Sequence, residues 1–328
     1  MTLLVTGAMG HVGYETVKQA VAQGMPVVAQ YFNTFREDDA KAVGDTVTWV
    51  RCDLSDADDI QKMVATKDVN GDAIDGCIHP AAIPNDKMGL PQPTNTYNSN
   101  VTATQLLLEA ARVNDWRRFI FVSTGAVFQD WKDKTKPIPE TENPTPKTLY
   151  GSTKRMGEII TSCYANMYDL SAASVRISWV YGPPLVPPEF EGPRGPVPEY
   201  LKLALRDGKV DAPTGGDFAA SFTYVTDCAL GCLEAFKADK LSYREYNLGS
   251  GENYTTKRVF EAIAAAVPEA EVSVGDGVEP WTDFTVLRGP LSCERMKEDF
   301  NFSPTFTLED AIKDFADWMR AHPESYKG

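Results

Sequence analysis

Short uncharged apolar runs alternate along this chain with longer stretches whose apolar residues recur at helical spacing. Residues 2–6 form the first run, and the absence of charge predicts a strand buried on both faces. A glycine-rich segment, Gly7-Ala8-Met9-Gly10-His11-Val12-Gly13, leads into a helical stretch that Gly24 is placed to cap. A second strand is expected at 27–31, a third at 47–52 ending on Asp53, a helix at 57–66, and a strand at 74–79 running into Pro80-Ala81-Ala82. Residues 98–114 predict a long helix with Val101, Leu106, Leu107 and Ala110 on its apolar side. A strand at 118–123, a helix at 149–168 and a strand at 173–180 follow. Strands alternating with helices predict an α/β fold, a Rossmann-type doubly wound parallel sheet with its ligands beyond the carboxyl ends of the strands.

The texture changes after Gly182. Residues 183–198 hold seven of the 22 prolines, including two Pro-Pro pairs, which excludes a central strand or a helix interior. This segment is expected to leave the dinucleotide-binding domain (1–181 plus about 218–250) for a smaller substrate-binding lobe (182–217 plus 251–328). A helix is expected at 199–207, a strand at 222–225, a helix at 226–238 that rejoins the main domain, and a last core strand at 246–248. Three helical stretches follow residue 255. In the last of them Ala311, Ile312, Phe315, Trp318 and Met319 recur as a packing stripe.

Composition narrows the function classes. A formal charge of −14 argues against nucleic acid or an anionic membrane as partner, since both require a basic face. No apolar run is long enough to span a bilayer, and the N-terminus enters a strand pattern at once, with no signal-peptide pattern, so a cytoplasmic location is expected. The six cysteines lack metal-ligand spacing. Cys228 and Cys232 are therefore read as buried thiols, and no metal is expected.

Two segments carry candidate chemistry. In the glycine segment, Gly7 permits a tight turn, Gly10 lets backbone N–H groups approach a pyrophosphate, and Gly13 lets helix and strand pack closely. In the second, Tyr150 and Lys154 lie four residues apart and so leave one helix face. An ammonium beside a phenol favours the phenolate, and a tyrosine tuned that way can exchange a proton near neutral pH.

Read together, Thr6-Gly7-x-x-Gly10-x-x-Gly13, Cys52-Asp53-Leu54, His79-Pro80-Ala81-Ala82, Asn100-Val101-Thr102-Ala103-Thr104, Ser123-Thr124-Gly125-Ala126-Val127-Phe128 and Tyr150-x-x-x-Lys154 resemble, in order, the signatures of extended short-chain dehydrogenase/reductases, the NAD-dependent epimerase/dehydratase superfamily. The resemblance covers most of the chain. It implies Tyr150 as acid/base, Lys154 as holder of the nicotinamide ribose, and Thr124 as hydrogen-bond partner of the reacting oxygen. It further implies a cofactor lined by Gly7, Met9, Gly10, His11, Val12, Tyr31, Asn33, Arg36, Asp53 (against the adenine), Leu54, Pro80, Ala81, Ala82, Asn100, Tyr150, Lys154 and Ser178, with the His79-Pro80-Ala81-Ala82 segment beside the nicotinamide ribose. A homodimer is the family expectation.

Departures from the family pattern sharpen the reaction class. Members that eliminate water or carbon dioxide carry an acidic residue just after the catalytic threonine, where this chain has Gly125 and Ala126. Nucleotide-sugar members usually place an arginine at the position of Ala219 or Ala220 to hold a diphosphate. Arg194 or Arg176 are the replacements the sequence offers. Substrate contacts are expected from Thr124, Gly125, Ala126 and Arg194. At the end of the second strand, where NAD users place an acid, stands Tyr31, with Asn33 and Arg36 beyond it, and this tips the cofactor, NAD(P), towards NADP. The leading expectation is a dehydrogenase or reductase acting on a hydroxyl or carbonyl carbon of a small molecule, a sugar or sugar acid. A sugar or nucleotide-sugar epimerase with tightly bound NAD is the alternative, and an NAD(P)-sensing regulatory protein a third.

Overall fold

The computed structural model describes residues 1–131, 133–184, 196–281 and 287–327. Strand β1 (Thr2–Val5) turns through the glycine segment into α1 (His11–Ala22), and Gly24, at φ +73°, reverses the chain behind that helix. β2 (Val27–Tyr31), α2 (Glu37–Ala42), β3 (Val47–Arg51), α3 (Ala57–Val64) and β4 (Ile74–His79) continue the alternation. The short helix α4 (Asp86–Gly89) precedes α5 (Pro93–Tyr97), a π turn at Asn98–Thr102, and α6 (Ala103–Val113). The expected helix at 98–114 thus contains a widened turn. Its buried side runs through Val101, Ala103, Leu107, Leu108 and Ala111, and Leu106 and Ala110 are only partly covered. The extra residue of a π turn shifts the phase of the face beyond it.

β5 (Arg118–Thr124), α7 (Leu149–Met167) and β6 (Ala172–Ile177) complete the first half. The strand expected at 173–180 is two strands. It breaks at Ser178, whose hydroxyl bonds that of Thr223, and β7 (Trp179–Tyr181) leaves the main sheet. After it come α8 (Pro196–Asp207), β8 (Lys209–Ala212), β9 (Ala219–Ala220), β10 (Phe222–Tyr224), α9 (Val225–Lys237) and β11 (Glu245–Leu248). The remainder is β12 (Tyr254–Thr255), α10 (Thr256–Ala266), β13 (Glu271–Val274), α11 (Glu294–Phe300), α12 (Leu308–Ala321) and α13 (Glu324–Lys327).

The main sheet has seven strands in the order β11-β6-β5-β4-β1-β2-β3, all parallel. This is the doubly wound α/β architecture. On one face α1 and α9 bury Val17, Ala20, Cys228, Cys232, Leu233 and Phe236, and on the other α3, α6 and α7 bury Ile60, Met63, Leu107, Leu108 and Ala165. A separate buried cluster joins Tyr181, Leu201, Phe222, Tyr224, Phe260, Ile263, Ile312, Phe315 and Met319. Cys293 and Met296, late in the chain, pack with the main sheet instead.

Helix α7 is fastened to the sheet by one buried carboxylate. Glu158 has no exposed surface. Its Oε1 accepts from Arg176 Nε on β6 at 2.7 Å and from Ser123 Oγ on β5 at 2.7 Å, and its Oε2 accepts from Arg176 Nη2 at 3.0 Å and Arg155 Nη1 at 2.9 Å. Gly157 lets the helix lie close, since a Cβ there would stand 2.4 Å from the Phe121 ring. Glu158→Gln keeps the shape and removes the charge, leaving the buried Arg176 uncompensated, and is expected to lower unfolding free energy in urea by about 3 kcal/mol. A loss below about 1 kcal/mol, the range of an exposed pair, would contradict this account of how α7 is held.

Candidate active site

The strand order reverses between β1 and β4, and parallel sheets of this kind open a crevice at that point. Gly7 leaves β1 at φ +56°, and a Cβ on it would stand 3.0 Å from the Ala81 Cα that follows β4. A Cβ on Gly13 would lie 2.2 Å from the Gly7 carbonyl oxygen, so no side chain fits there without opening the turn. Gly7 N–H donates to Gln30 Oε1 at 2.8 Å, and Gln30 Nε2 donates to the Cys52 carbonyl at 2.7 Å, which ties the turn to β2 and to the end of β3. The first turn of α1 has no side-chain cap and no acidic residue. A helix start without a side-chain cap suits an anion, which the helix dipole favours there. A narrow, uncapped cradle of this kind fits the diphosphate of a dinucleotide.

The other expected cofactor residues divide. Met9 and Leu54 are buried, and Val12, Tyr31, Pro80, Ala81 and Ala82 are partly exposed around the crevice. His11 turns its ring to the Gly182 carbonyl, Nε2 to oxygen 2.7 Å, where the proline-rich segment begins. Asp53 Oδ1 accepts from the Ser55 N–H and hydroxyl at 2.9 and 2.7 Å. Asn33 is exposed, and Arg36 is engaged by Asp39. Asn100 is an internal brace, because its amide bonds both the N–H and the carbonyl of Ile83 and the Thr153 hydroxyl of α7. Ser178 spends its hydroxyl on Thr223.

His79, the first residue of the segment expected beside the nicotinamide ribose, has no exposed surface. The Thr104 hydroxyl donates to the Asn100 carbonyl, so its oxygen is the acceptor for His79 Nε2–H at 3.1 Å, and Nδ1 accepts from Thr6 at 2.7 Å. Burial, with Lys154 nearby, pushes the ring down to about 3. It is a neutral strut between β1, β4 and α6.

The reactive cluster forms where β5 meets α7. Thr124 Oγ1 accepts from the Ala126 N–H at 3.1 Å, and its hydroxyl favours the ionised form of the Tyr150 phenol. Thr148 caps α7 through the Gly151 N–H, and the buried Asp86 takes the Tyr150 N–H at 2.8 Å, fixing the first turn that carries the phenol. Burial pushes Tyr150 up to about 12, the Thr124 hydroxyl works against it, the Asp86 charge adds to it, and the Arg288 charge opposes it. The charge that favours the phenolate here is that of Arg288. Lys154 is almost fully buried, its Nζ lies 4.2 Å from the centre of the Phe121 ring, and burial pulls it down to about 7 against the attraction of Glu158.

The two substitutes for a diphosphate arginine fare differently. Arg176 is locked against Glu158 inside the protein and is not free to meet a ligand. Arg194 lies outside the described residues. Ala219 and Ala220 pair with Tyr254 and Thr255 as a two-residue antiparallel ladder. Asp86 and Arg288 were not legible beforehand. Asp86 follows His79-Pro80-Ala81-Ala82 by four residues in an ordinary polar loop, and Arg288 sits in a segment with no motif around it. Among the described residues there is no cluster of three or more metal-ligating side chains, and no helix is long and apolar enough to cross a membrane.

Residues 3–249 match the model of the NAD dependent epimerase/dehydratase family. The chain belongs to that family. The UDP-glucose 4-epimerase of Erwinia amylovora is 27% identical over 356 residues, covering 99% of each chain. The solved structure of Thermus thermophilus UDP-glucose 4-epimerase in complex with NAD is 25% identical, with a TM-score of 0.81 over 98% of this chain and 99% of that one. UDP-glucose 4-epimerase of Thermotoga maritima with UDP-glucose, 22% identical, shares the fold with a TM-score of 0.84 over 98% of this chain and 100% of its own. These neighbours are extended short-chain dehydrogenase/reductases.

Two outcomes check the site. Gly13→Ala should abolish NAD binding measured by calorimetry, because the new methyl meets the Gly7 carbonyl. Asp86→Asn keeps an acceptor for the Tyr150 N–H and removes a negative charge that raises the phenol. If the phenolate is the active form, the rise of activity with pH should move about one unit lower. A profile that moves higher or stays in place would contradict the placement of Asp86.

Proposed function

We propose that this epimerase/dehydratase-family chain carries out NAD-dependent hydride transfer at a hydroxyl-bearing carbon of a sugar-like substrate, with Tyr150 as the proton carrier. The observation that supports it best is the grouping of Tyr150 with Thr124 at the end of β5, where the threonine hydroxyl and the Arg288 charge both favour the ionised phenol and no carboxylate stands at Gly125 or Ala126. NAD, when bound, supplies the hydride acceptor and returns the hydride in the reverse direction. The Gly7–Gly13 cradle and the start of α1 would hold its diphosphate, Asp53 and Leu54 its adenine end, and Lys154 its nicotinamide ribose.

In the oxidative direction the carbinol C–H bond breaks, its electron pair leaves as hydride, and the C–O bond becomes a carbonyl. The hydroxyl proton passes to the Tyr150 oxygen and from there to solvent. Thr124 holds the reacting oxygen in line with the phenol, and this positioning carries much of the rate. Arg288 stabilises the phenolate that accepts the proton, and Asp86 limits how far the phenol is lowered. Elimination would need a base next to Thr124, where this chain has glycine and alanine. NAD is favoured over NADP, because Arg36 is engaged by Asp39 and the solved Thermus thermophilus relative is a complex with NAD. The exposed Met156, Ile159 and Met167 on α7 support pairing of two chains along that helix.

A second reading, epimerisation through oxidation and re-reduction of one carbon, is favoured by the curated relative from Erwinia amylovora, a UDP-glucose 4-epimerase. Net release of reduced cofactor separates the two.

Tyr150→Phe is expected to lose about 10³-fold in turnover while NAD affinity is unchanged, since only the proton path is removed. Turnover within about threefold of the parent would contradict the assignment, as proton transfer by a positioned group contributes far more than that.

A further inference from the structure

Arg288 is held in place more firmly than a loop arginine needs to be. Its carbonyl accepts from Asn253 Nδ2 at 2.8 Å, the Pro290 carbonyl accepts from the Ile138 N–H at 2.7 Å, and the Ser292 N–H donates back to the Ile138 carbonyl at 3.1 Å. Gly289 sits so close to residue 136 that a Cβ on it would lie 2.1 Å from the Lys136 carbonyl. Glu140, itself buried, accepts from the Ser292 hydroxyl at 2.9 Å and from the N–H groups of Asn247 and Arg295 at 3.3 Å. This lacing presses residues 288–292 onto the segment after β5 and sets the guanidinium on Gly125. A Cβ on Gly125 would stand 3.2 Å from Arg288 Nη2 and 3.3 Å from Nε, so the two-nitrogen edge of the fork lies against the residue that follows Thr124.

Two other cations, Arg258 and Lys257, are committed to carboxylates. Arg258 pairs with Glu252 and Glu309 at 2.8 and 3.0 Å, and Lys257 with Asp217 and Asp276, each at 2.7 Å. Arg176 is buried against Glu158, and the alanines at 219 and 220 offer no charge. The Arg288 guanidinium instead lies against Gly125; burial holds it down to about 10, and the charge of the Tyr150 phenol acts to raise it.

We propose that Arg288, lying against Gly125, is a carboxylate site beside the reacting carbon, and that the substrate is a compact hydroxy acid of the uronic or aldonic type. The proposal rests on the hydride-transfer reading above and adds the substrate class to it. A guanidinium edge matches a carboxylate with two parallel hydrogen bonds. Its place next to Thr124 and Tyr150 puts the carboxylate on a carbon close to the one that loses hydride. A nucleoside diphosphate would bring two phosphates to this single fork. A side chain at 125 would fill the space where the fork lies, so glycine at that position serves the acid site as well as removing an elimination base.

The test uses the full chain with NAD bound and compares glucuronate, glucose and UDP-glucose by thermal shift and calorimetry, for the parent, Arg288→Met and Arg288→Lys. Glucuronate should bind the parent at least about tenfold tighter than glucose, the methionine variant should lose that margin while keeping its NAD affinity, and lysine should restore part of it. Two results would overturn the proposal: equal binding of glucuronate and glucose by the parent, or a loss for UDP-glucose in the methionine variant as large as that for glucuronate. The comparison in the parent does not depend on either variant folding. Deuterium transfer from substrate to NAD, followed separately, tells failure of the carboxylate site from failure of the hydride-transfer reading.

Discussion

A carboxylate with no exposure, Glu158, is the constraint on which the rest of the site depends. It takes four hydrogen bonds, from Ser123 on β5, twice from Arg176 on β6, and from Arg155 on its own helix. Two buried ions are no net gain over well-packed apolar residues, so the pair is poorly explained as a source of stability. Its geometric effect is clearer. It fixes α7 in rotation and height over the strand that ends at Thr124, and the Thr124–Tyr150 contact exists because that register is fixed. Asn100 adds a second tie, from the π turn to Thr153 one turn along the same helix. The π turn places this amide inward, although it breaks the regular helical ladder.

Once α7 is set, the acidity of the tyrosine is decided by opposing surroundings. Burial is the largest and works against ionisation. The Thr124 hydroxyl and the Arg288 charge work for it, and Asp86 works against it. The protein thus holds the phenol high by solvent exclusion and brings in a cation from a segment more than 130 residues later in the chain. Lys154 is buried over Phe121 and depressed to about 7, so it can change charge near neutral pH. The surface-helix picture of two side chains sharing a face describes the spacing of Tyr150 and Lys154 but omits the dielectric in which they sit.

The fold was legible because its signals are local and repeated. Uncharged strand runs, helical periodicity and the glycine turn each depend on a few neighbouring residues, and the seven-stranded parallel sheet follows from their alternation. The strand break at Ser178 was not legible, because a continuous apolar run does not reveal where a strand changes sheets. The glycine roles were readable for a steric reason, since Gly7 and Gly13 have contacts that admit no Cβ. His79, Asn100 and Arg176 carried motif or charge signals but turned out to be interior braces, because a polar residue type does not state whether its partner is a ligand or the protein. Arg288 and Asp86 reach the phenol through long-range packing, which no spacing along the chain encodes.

The central claim is that Tyr150 takes a hydroxyl proton while the same carbon gives up a hydride. The most direct measurement uses a substrate deuterated at that carbon, with mass analysis of both the cofactor and the sugar product at matched NAD occupancy. The account predicts deuterium on the nicotinamide ring in the parent protein, with a primary isotope effect on the transfer step. Deuterium washed into solvent, with none on the cofactor and no isotope effect, would contradict it.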